Sequence, residues 1–356
     1  MHLHRCTSHR HSICCLLPPH VLHEVARRGT AAQRDAALST IAADATHRVQ
    51  RMAGQPPAPP VQADTPITPG QVQRTIYATS NTQDLPGALA RAEGHPVAED
   101  QSINEAYDAL GHTFDFFLTV YNRDSIDNRG LPLVATVHYD HNYNNALWNG
   151  HQMVIGDGDG EVFNRLTGAI DVIGHELTHG VTASEVNLSY TQQSGALNES
   201  ISDVFGSLVK QYVLKQTAGD ADWLIGSGLL KVQGQALRSL KAPGTAYNND
   251  LLGEDPQPAN MAHYVHTGAD DGGVHINSGI PNHAFYLVAA AIGGCAWEKA
   301  GQIWYDTIRD RSLKRSADFA AFASCTIANA GTRYGAGSGE QKAVIDAWKA
   351  VGVPPA

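Results

Sequence analysis

The segment that most constrains this chain is His175-Glu176-Leu177-Thr178-His179. Residues four apart on a helix lie on one face, one turn apart, so His175 and His179 can present two imidazoles to a single metal ion. Glu176 emerges at the edge of that face, where its carboxylate can contact a water molecule without binding the ion. Two histidines and a nearby carboxylate are the groups that zinc-dependent hydrolysis requires. Because the chain contains 18 histidines, the motif taken alone leaves a chance match open.

A second acidic segment, at 194–203, follows this motif. Glu199 lies twenty residues after His179, which is enough chain to end one helix, cross a loop and begin another. Glu199 can therefore complete a His-His-Glu site that leaves a fourth position for water. Asp203 lies one turn beyond Glu199, and we expect it to accept the remaining N–H of a metal-bound imidazole. The alternative is that both carboxylates lie on the exposed face of a helix.

A third segment, at 270–279, places His275 just after a glycine-rich turn, with Asp270 upstream to orient it. A histidine that is partly protonated at neutral pH can donate a hydrogen bond to an oxyanion that develops during a reaction. Taken alone, His275 is equally compatible with a structural role in a loop.

Composition restricts the class of protein. A chain of 356 residues, 42% hydrophobic and 17% charged, is typical of a globular protein that holds two domains. Its net charge of −10 argues against a nucleic-acid partner. No apolar run approaches the roughly 18–20 residues that cross a membrane, so we expect no membrane partner either. Residues 1–72 carry seven arginines against four acidic residues. This basic head could dock on the acidic remainder, or it could be an unstructured terminus of unusual composition.

The N-terminal region contains no conventional secretion signal, since the apolar run at 16–17 is cut short by two prolines. The proline-rich stretch at 55–60 predicts a linker or an exposed, cleavable segment. The five cysteines form no even framework. We predict that Cys295 and Cys325 are buried thiols, with a disulfide between them as the alternative.

Apolar patterns divide the chain into a strand-rich half and a helical half, which predicts an α+β fold. Short or alternating apolar runs predict strands at 74–79, 133–139, 146–148 and 152–155. Near-helical spacing predicts helices at 16–26, 31–45, 98–122, 169–184, 195–216, 281–293, 296–312, 316–334 and 338–350. The helix with the two metal-ligand histidines thus lies between the halves, and clefts between domains are common active sites.

Taken together, these segments resemble the thermolysin-like zinc metallopeptidases, the gluzincins. The matching stretches are His-Glu-Leu-Thr-His, Gly-Ala-Leu-Asn-Glu-Ser-Ile-Ser-Asp, Gly-Gly-Val-His-Ile-Asn-Ser-Gly and, upstream, Asn-Ala-Leu-Trp-Asn-Gly at 145–150. The resemblance covers residues 74–354, and the head with Leu17-Pro18-Pro19 resembles the short propeptide of the protealysin-like branch. It implies a propeptide and linker at 1–72, a β-rich catalytic domain with the zinc helix at 73–188, and a helical domain at 189–356.

The resemblance also implies a role for each matching residue. His175, His179 and Glu199 would bind one zinc ion, and Glu176 would be the general base. Tyr190 and His275 would donate hydrogen bonds to the tetrahedral intermediate. Asp203 would support His175, and Asp270 would support His275. Asn145, the carbonyl of Ala146 and Arg238 would hold the substrate backbone. Phe163, Leu166, Val172 and Leu237 would line an apolar pocket for the side chain just after the scissile bond, although ordinary core packing explains these four equally well.

The chain departs from the family pattern at the calcium site. The family's double site would use Asp171, Asp222 and two glutamates, but this chain has Lys210 and Ser227 at the glutamate positions. A lysine amine could replace one cation, so we expect at most one calcium ion, bound by Asp171 and Asp222. Separately, the thiolate of Cys14 or Cys15 could cap the zinc.

The function that the resemblance implies is a zinc-dependent neutral endopeptidase that is made as a zymogen and prefers a bulky apolar residue just after the scissile bond. Its partners would be protein or peptide substrates and its own propeptide, and it would be exported. The alternatives are a catalytically weak binding protein on the same fold and a zinc hydrolase that acts on non-peptide substrates.

Overall fold

A mixed six-stranded sheet forms the first half of the molecule in the computed structural model, which describes residues 14–54 and 68–355 and only the backbone of Cys14. Its strands are β1 (Cys14–Cys15), β2 (Arg74–Ala78), β3 (Ala88–Ala92), β4 (Leu133–Val137), β5 (Ala146–Trp148) and β6 (Met153–Ile155). Their order across the sheet is β1-β5-β6-β4-β2-β3. The β2–β4 and β4–β6 pairs are parallel and the others are antiparallel.

Helices surround this sheet and make up most of the second half. They are α1 (Pro19–Arg28), α2 (Ala31–Met52), α3 (Gln101–Tyr121), α4 (Ile170–Ser184), α5 (Gln192–Leu214), α6 (Asp270–Asn277), α7 (Gly279–Ile292), α8 (Ala300–Arg309), α9 (Phe319–Tyr334) and α10 (Gly339–Ala350). Two-stranded ribbons join them: β7 (Leu224–Ile225) with β8 (Arg238–Ser239), and β9 (Asn248–Asn249) with β10 (Gly253–Glu254). The predicted α+β class is confirmed.

Local signals explain where the helices begin. The Asp100 carboxylate accepts hydrogen bonds from the backbone N–H groups of Ser102 and Ile103 and so caps α3. Thr30 and Gln33 form a reciprocal capping box at the start of α2. The sequence patterns did not predict β3. Four of its five residues are exposed or half-exposed, and the strand shows no alternation of buried and exposed positions.

Two helices, α4 and α5, pack closely enough to bring their functional residues together. Gly174 on α4 faces Gly206 on α5, and a Cβ atom added at Gly206 would lie 2.4 Å from the carbonyl oxygen of Asp171. A larger residue at that position would force the helices apart. The contact sets His175 and His179 of α4 beside the acidic face of α5.

The N-terminal head is helical and packs on the rest of the protein. Its strand β1 extends the sheet, with Cys15 paired to Leu147 of β5. Leu16 and Leu17 are 0% and 1% exposed and belong to the main hydrophobic cluster. The unstructured alternative therefore does not hold for residues 14–54. The predicted linker at 55–60 lies outside the described residues, as does the His-rich stretch before residue 14.

The two C-terminal cysteines are free thiols, so the alternative of a disulfide is wrong. Cys325 is buried, as predicted, but Cys295 is only partly buried because it lies in the turn after α7. In the part of the chain that the structure covers, we find no helix that combines the length and the apolar character needed to cross a membrane.

Candidate metal centre and substrate cleft

The two histidines of α4 point their Nε2 atoms at one place. The Nε2 atoms of His175 and His179 are 3.1 Å apart. Carboxylate oxygens of Glu199 lie 3.4 Å and 3.5 Å from these two nitrogens. Donors that each bind a tetrahedral zinc at about 2.0–2.1 Å are separated by about 3.3–3.4 Å. The three side chains therefore fit the edges of a zinc coordination tetrahedron.

Glu176 also lies at this centre, within 4.8 Å of the donor atoms of both histidines. Its two carboxylate oxygens are fully buried and make no hydrogen bond of normal geometry to any described residue. A buried carboxylate without a partner costs several kcal/mol. Such a group is compensated when a cation or a water molecule lies beside it. Glu199 contacts both histidine nitrogens, so it is the better third ligand, and Glu176 is left beside the metal.

The electrostatics of the cluster also favour a cation. Burial raises the pKa of Glu176 to about 8. Burial lowers the pKa of His175, but its contacts with Asp203 and Glu199 outweigh this and raise the value to about 9. Burial lowers the pKa of His179 to about 3, so this imidazole is neutral and can bind a metal. The carboxylates that favour a positive charge on His175 would equally stabilise a divalent cation.

Side chains of α5 contact the Nδ1 atoms of both imidazoles, while the Nε2 atoms face the candidate metal position. The Nδ1 atom of His175 lies 2.9 Å from the Asp203 carboxylate. Nδ1 of His179 lies 2.8 Å from the Asn198 side-chain oxygen and 3.0 Å from the Ser202 hydroxyl. Sequence reasoning missed Asn198 and Ser202. Their spacing of four on α5 puts them on one face and would have pointed to them.

The Asp203 carboxylate is itself enclosed by donors. The Arg238 guanidinium donates to both of its oxygens, and the Asn282 amide donates to one of them at 2.9 Å. Burial would raise the pKa of Asp203, but Arg238 and His175 lower it to about 2. The carboxylate that supports His175 is thus ionised at every physiological pH. Nothing in the sequence around Asn282 indicated its position.

On the opposite side of the metal centre lie the two predicted oxyanion donors. The Tyr190 hydroxyl donates to a Glu199 oxygen and lies 3.4 Å from the Nε2 atom of His275. The Nδ1 atom of His275 lies 2.6 Å from the Asp270 carboxylate, which also accepts from the backbone N–H of His275. Burial opposes a charge on His275, but Asp270 and Glu199 outweigh it and raise its pKa to about 9. These contacts favour the protonated form of His275 at neutral pH, and that form donates a hydrogen bond.

A turn in the left-handed conformation positions the side chain of His275. Asp271, Gly272 and Gly273 have φ angles of 49°, 93° and 77°. Glycine adopts such angles at little cost, whereas a residue with a Cβ atom is strained there. The glycine-rich turn that the sequence predicts thus lets the chain reverse and bring His275 back over Glu199.

The residues expected to hold a substrate backbone hold the head of the chain instead. The backbone N–H of Leu16 donates to the carbonyl of Ala146 at 3.0 Å, and that of Leu17 donates to the Asn145 side-chain oxygen at 2.9 Å. The Nη1 atom of Arg238 donates to the carbonyl of Leu16 at 2.9 Å. All three predicted backbone-binding groups therefore meet on one short segment of this same chain.

Cys15 lies at the metal centre, but it presents its backbone. Its carbonyl oxygen accepts a hydrogen bond from the Nε2 atom of His275 at 2.9 Å. Burial, with the charge of Asp44 next in size, raises the pKa of the Cys15 thiol well above its usual value. The Cys15 side chain packs in a second hydrophobic cluster with Tyr139, Tyr143 and Leu147, and none of the proposed zinc ligands belongs to this cluster. The side chain of Cys14 lies outside the described part of the structure.

The four residues of the predicted apolar pocket are all buried. Their exposed fractions are at most 2%, and they belong to one hydrophobic cluster that also contains Leu16. These four residues are Phe163, Leu166, Val172 and Leu237. Burial in a common cluster with Leu16 fits both a side-chain pocket and core packing.

The predicted calcium-binding residues lie apart from the metal centre, at the start of α4. The amine of Lys210 lies 2.9 Å from Asp171 and 2.9 Å from Asp222, and it donates to the carbonyl of Leu224 at 2.6 Å. Burial lowers the pKa of Lys210, but the two carboxylates outweigh it and raise the value. The charged amine thus lies between the groups that the calcium prediction named.

Known proteins and protein families match this chain over most of its length. The catalytic domain of the thermolysin metallopeptidases matches residues 70–183, and their alpha-helical domain matches residues 186–353. The chain is 52% identical over 343 residues to an extracellular metalloprotease of Pectobacterium carotovorum subsp. carotovorum, covering 96% of each chain. It is 44% identical to the protease PrtS of Photorhabdus sp., covering 95% of this chain and 91% of that protein.

A solved structure is also similar. The precursor of protealysin, a metalloproteinase from Serratia proteamaculans, superposes with a TM-score of 0.87 at 53% sequence identity. The alignment covers 96% of this chain and 99% of that one. The described head is thus within a region that a precursor structure shares.

Proposed function

Because the chain belongs to the protealysin-like branch of the thermolysin metallopeptidases and is a metalloendopeptidase, we propose that it is a zinc-dependent neutral endopeptidase made as a zymogen. One observation carries the proposal. Three donors stand at zinc-ligand separations beside a buried carboxylate, that of Glu176, which makes no hydrogen bond of normal geometry to a described residue. A hydrolase needs this combination, because the metal and the base must share one water molecule.

The proposed roles follow from the contacts. His175, His179 and Glu199 would hold the zinc, which when bound would polarise the peptide carbonyl and lower the pKa of a water molecule to about 7. Glu176 takes a proton from the attacking water and passes it to the leaving nitrogen. His275 and Tyr190 donate to the oxygen that becomes negative. Asp270 orients His275, and Asp203 orients the zinc ligand His175.

Specificity is proposed to come from the apolar cluster beside the centre. Asn145, Ala146 and Arg238 offer one acceptor side chain, one carbonyl and one cation, a set that fits an extended peptide backbone. Phe163, Leu166, Val172 and Leu237 would take the side chain just after the scissile bond, and their apolar character and burial support a bulky apolar preference.

The zymogen proposal rests on the head, which fills the cleft. Besides the contacts of Leu16 and Leu17, the Asp44 carboxylate on α2 accepts from the Tyr143 hydroxyl at 2.5 Å and from the Asn145 amide at 2.9 Å. Asn145 is one of the proposed substrate-binding residues, so a peptide substrate and the head compete for it. Residues 1–72 would be the propeptide and linker, ahead of domains at 73–188 and 189–356.

Two further parts of the proposal concern location and calcium. The relatives are named extracellular proteases, which supports secretion of this one. The amine of Lys210 between Asp171 and Asp222 supports replacement of a calcium ion by an ammonium group.

The test is digestion of casein by the processed protein, with and without a zinc-selective chelator. We expect digestion that the chelator abolishes and added zinc restores. A protein that binds zinc but does not cut casein would be a binding protein on this fold. Chelator-sensitive hydrolysis of small esters, with casein left intact, would indicate a non-peptide substrate.

The zymogen proposal has its own test, since the precursor can be kept in conditions of self-cleavage and its active product sequenced. We expect the active form to begin in or after the proline-rich stretch at 55–60. An active enzyme that still carries α1 and α2, or the absence of processing, would overturn the zymogen.

A further inference from the structure

The head segment at 14–17 lies in the cleft in the direction of a substrate. From N- to C-terminus, the carbonyl of Cys15 accepts from His275, the N–H of Leu16 donates to Ala146, the carbonyl of Leu16 accepts from Arg238, and the N–H of Leu17 donates to Asn145. Each of these protein groups is one that the proposed function assigns to substrate binding. A segment bound in the reverse direction, as a blocking segment could be, would not offer its carbonyls and N–H groups in this order.

This register singles out one peptide bond. The oxygen that accepts from the proposed oxyanion donor belongs to Cys15, and the next side chain, that of Leu16, is fully buried in the main hydrophobic cluster, to which the residues of the proposed pocket also belong. In a substrate, those two positions flank the bond that is cut. Glu176 lies at the same centre with both oxygens available.

We propose that the Cys15–Leu16 peptide bond is itself cut in its own cleft, before the linker is processed, and that the cut head stays bound. This inference rests on the proposed function. In the reaction, the oxygen of one water molecule bonds to the carbonyl carbon of Cys15, and the bond from that carbon to the Leu16 nitrogen breaks. Glu176 carries one proton of the water to the nitrogen, and the second proton passes from the new carboxyl group to the amine. The products are a carboxylate at Cys15 and an ammonium group at Leu16.

The head stays bound because most of its contacts lie after the cut. Arg51 donates to the carbonyl of Trp148 at 2.7 Å, Arg28 donates to the carbonyl of Asp250 at 3.1 Å, and His20 lies 3.0 Å from the Tyr247 hydroxyl. The linker also keeps this part covalently attached to the enzyme. By contrast, the described residues before the cut, 14 and 15, are held by one short strand pairing, the contact with His275 and the packing of the Cys15 side chain beside Tyr143 and Leu147. The first cut therefore releases the N-terminal residues and leaves the cleft blocked.

The test follows the full-length, zinc-loaded precursor over time by intact mass and by sequencing of its N-terminus. We expect a species that begins at Leu16, formed at a rate independent of protein concentration, in samples that do not yet digest casein. The Glu176→Gln precursor serves as control and should form none of it. When this variant is mixed with active enzyme, its Cys15–Leu16 bond should stay intact, because it is buried in the variant's own cleft.

Two results would overturn the inference. One is a preparation that processes its linker and digests casein but never contains a chain beginning at Leu16. The other is cutting of this bond in the Glu176→Gln precursor by added enzyme, which would mean that the bond is open to a second molecule. A preparation that never digests casein would instead overturn the proposed function.

Two substitutions at Leu16 test whether its apolar side chain determines which peptide bond is cut. Leu16→Asp puts a carboxylate into the apolar cluster and should abolish the Leu16 terminus, whereas Leu16→Phe keeps an apolar side chain and should retain it. Because Leu16→Asp could undock the head, Leu16→Phe is the deciding variant: a precursor that is still inhibited but no longer cut at this bond would also overturn the inference.

Discussion

Two clusters of charge lie along the same pair of helices, α4 and α5, and their charges are balanced in opposite ways. In the first, Lys210 and Asp171 are buried and Asp222 is partly exposed; the second is fully buried. Near the start of α4, the amine of Lys210 lies between Asp171 and Asp222, so the cluster carries its own cation. One turn along α4, the metal centre groups Glu176, Glu199 and Asp203 around two histidines, and the oxygens of Glu176 make no hydrogen bond of normal geometry to a described residue.

The difference shows how a buried cluster can be structural or functional. A carboxylate held by a cation of the same chain contributes to stability, and removing its partner leaves an uncompensated charge. A carboxylate that lacks such a partner destabilises the fold until an external cation or water compensates it. Substitutions in the Lys210 cluster should therefore lower the free energy of unfolding, and substitutions at the candidate metal centre should lower the catalytic activity.

The sharpest test of this contrast is Glu176→Gln. The amide keeps the shape of the side chain but cannot take a proton, so we expect a loss of casein digestion of more than roughly 1,000-fold. Zinc content, measured on the purified protein, should stay at one ion per chain, and thermal stability should not fall. Glu161→Gln, on the exposed turn before Phe163, is the matched control. Retained activity in Glu176→Gln would remove Glu176 from the catalytic role.

At the other cluster, Lys210→Met should act on stability. The variant leaves Asp171 buried without its cation, and breaking a buried ion pair costs about 3–5 kcal/mol in the free energy of unfolding. Urea unfolding of the Glu176→Gln background avoids self-digestion, and Lys342→Met on the exposed face of α10 is the control. We further expect Lys210→Glu to make the melting temperature depend on calcium, because three carboxylates would then meet. A Lys210→Met loss below about 1 kcal/mol would contradict the structural role of this cluster.

His275→Ala tests the metal centre from its other side. Loss of one donor to a developing oxyanion costs about 100-fold or more in kcat. His275 contacts no proposed zinc ligand more closely than the 3.6 Å to Glu199, so zinc content should not change. His112→Ala, exposed on α3, is the control for the loss of an imidazole. If kcat were unchanged in His275→Ala and only KM rose, His275 would stabilise the bound substrate and the transition state equally. It would then not act as an oxyanion donor.

Local patterns predicted much of the metal centre, because its groups are linked by helix geometry. The spacing of four between His175 and His179, and again between Glu199 and Asp203, places each pair on one helix face. The helices themselves followed from apolar periodicity. Where α4 and α5 meet was not predictable in this way, because the close approach at Gly174 and Gly206 depends on the absence of a side chain.

Contacts between distant segments could not be predicted from these patterns. Leu17 lies 128 residues before its partner Asn145, and Cys15 lies 260 residues before His275. The apolar pocket was equally ambiguous, because a buried leucine such as Leu237 looks the same in a core and in a specificity site. Lys210 was informative for the opposite reason: a lysine at a carboxylate position changes the sign of the charge.

The docked N-terminal head carries buried titratable groups, so its docking should depend on pH. This is the smallest effect that we predict. Burial lowers the pKa values of His47 and His20 to about 4. Undocking returns these imidazoles toward their usual value of 6.5, so docking releases protons and weakens as the pH falls from 6.5 through 4. Asp44 acts in the opposite sense, because burial raises its pKa from 3.8 to about 6. Its protonation therefore favours docking in acid.

Two histidines against one carboxylate leave a net release of the head at low pH. We expect the docking constant to fall by roughly 50-fold between pH 6.5 and 4.5. Amide hydrogen exchange of α2 in the Glu176→Gln precursor, corrected for intrinsic rates, measures the effect. Asp44→Asn removes the opposing group and should steepen the dependence, whereas His47→Gln should flatten it. The charges nearest Asp44, those of Arg48 and His275, stay positive through this range, since both groups titrate above it. Head docking that instead tightens in acid would mean that Asp44 outweighs the two histidines.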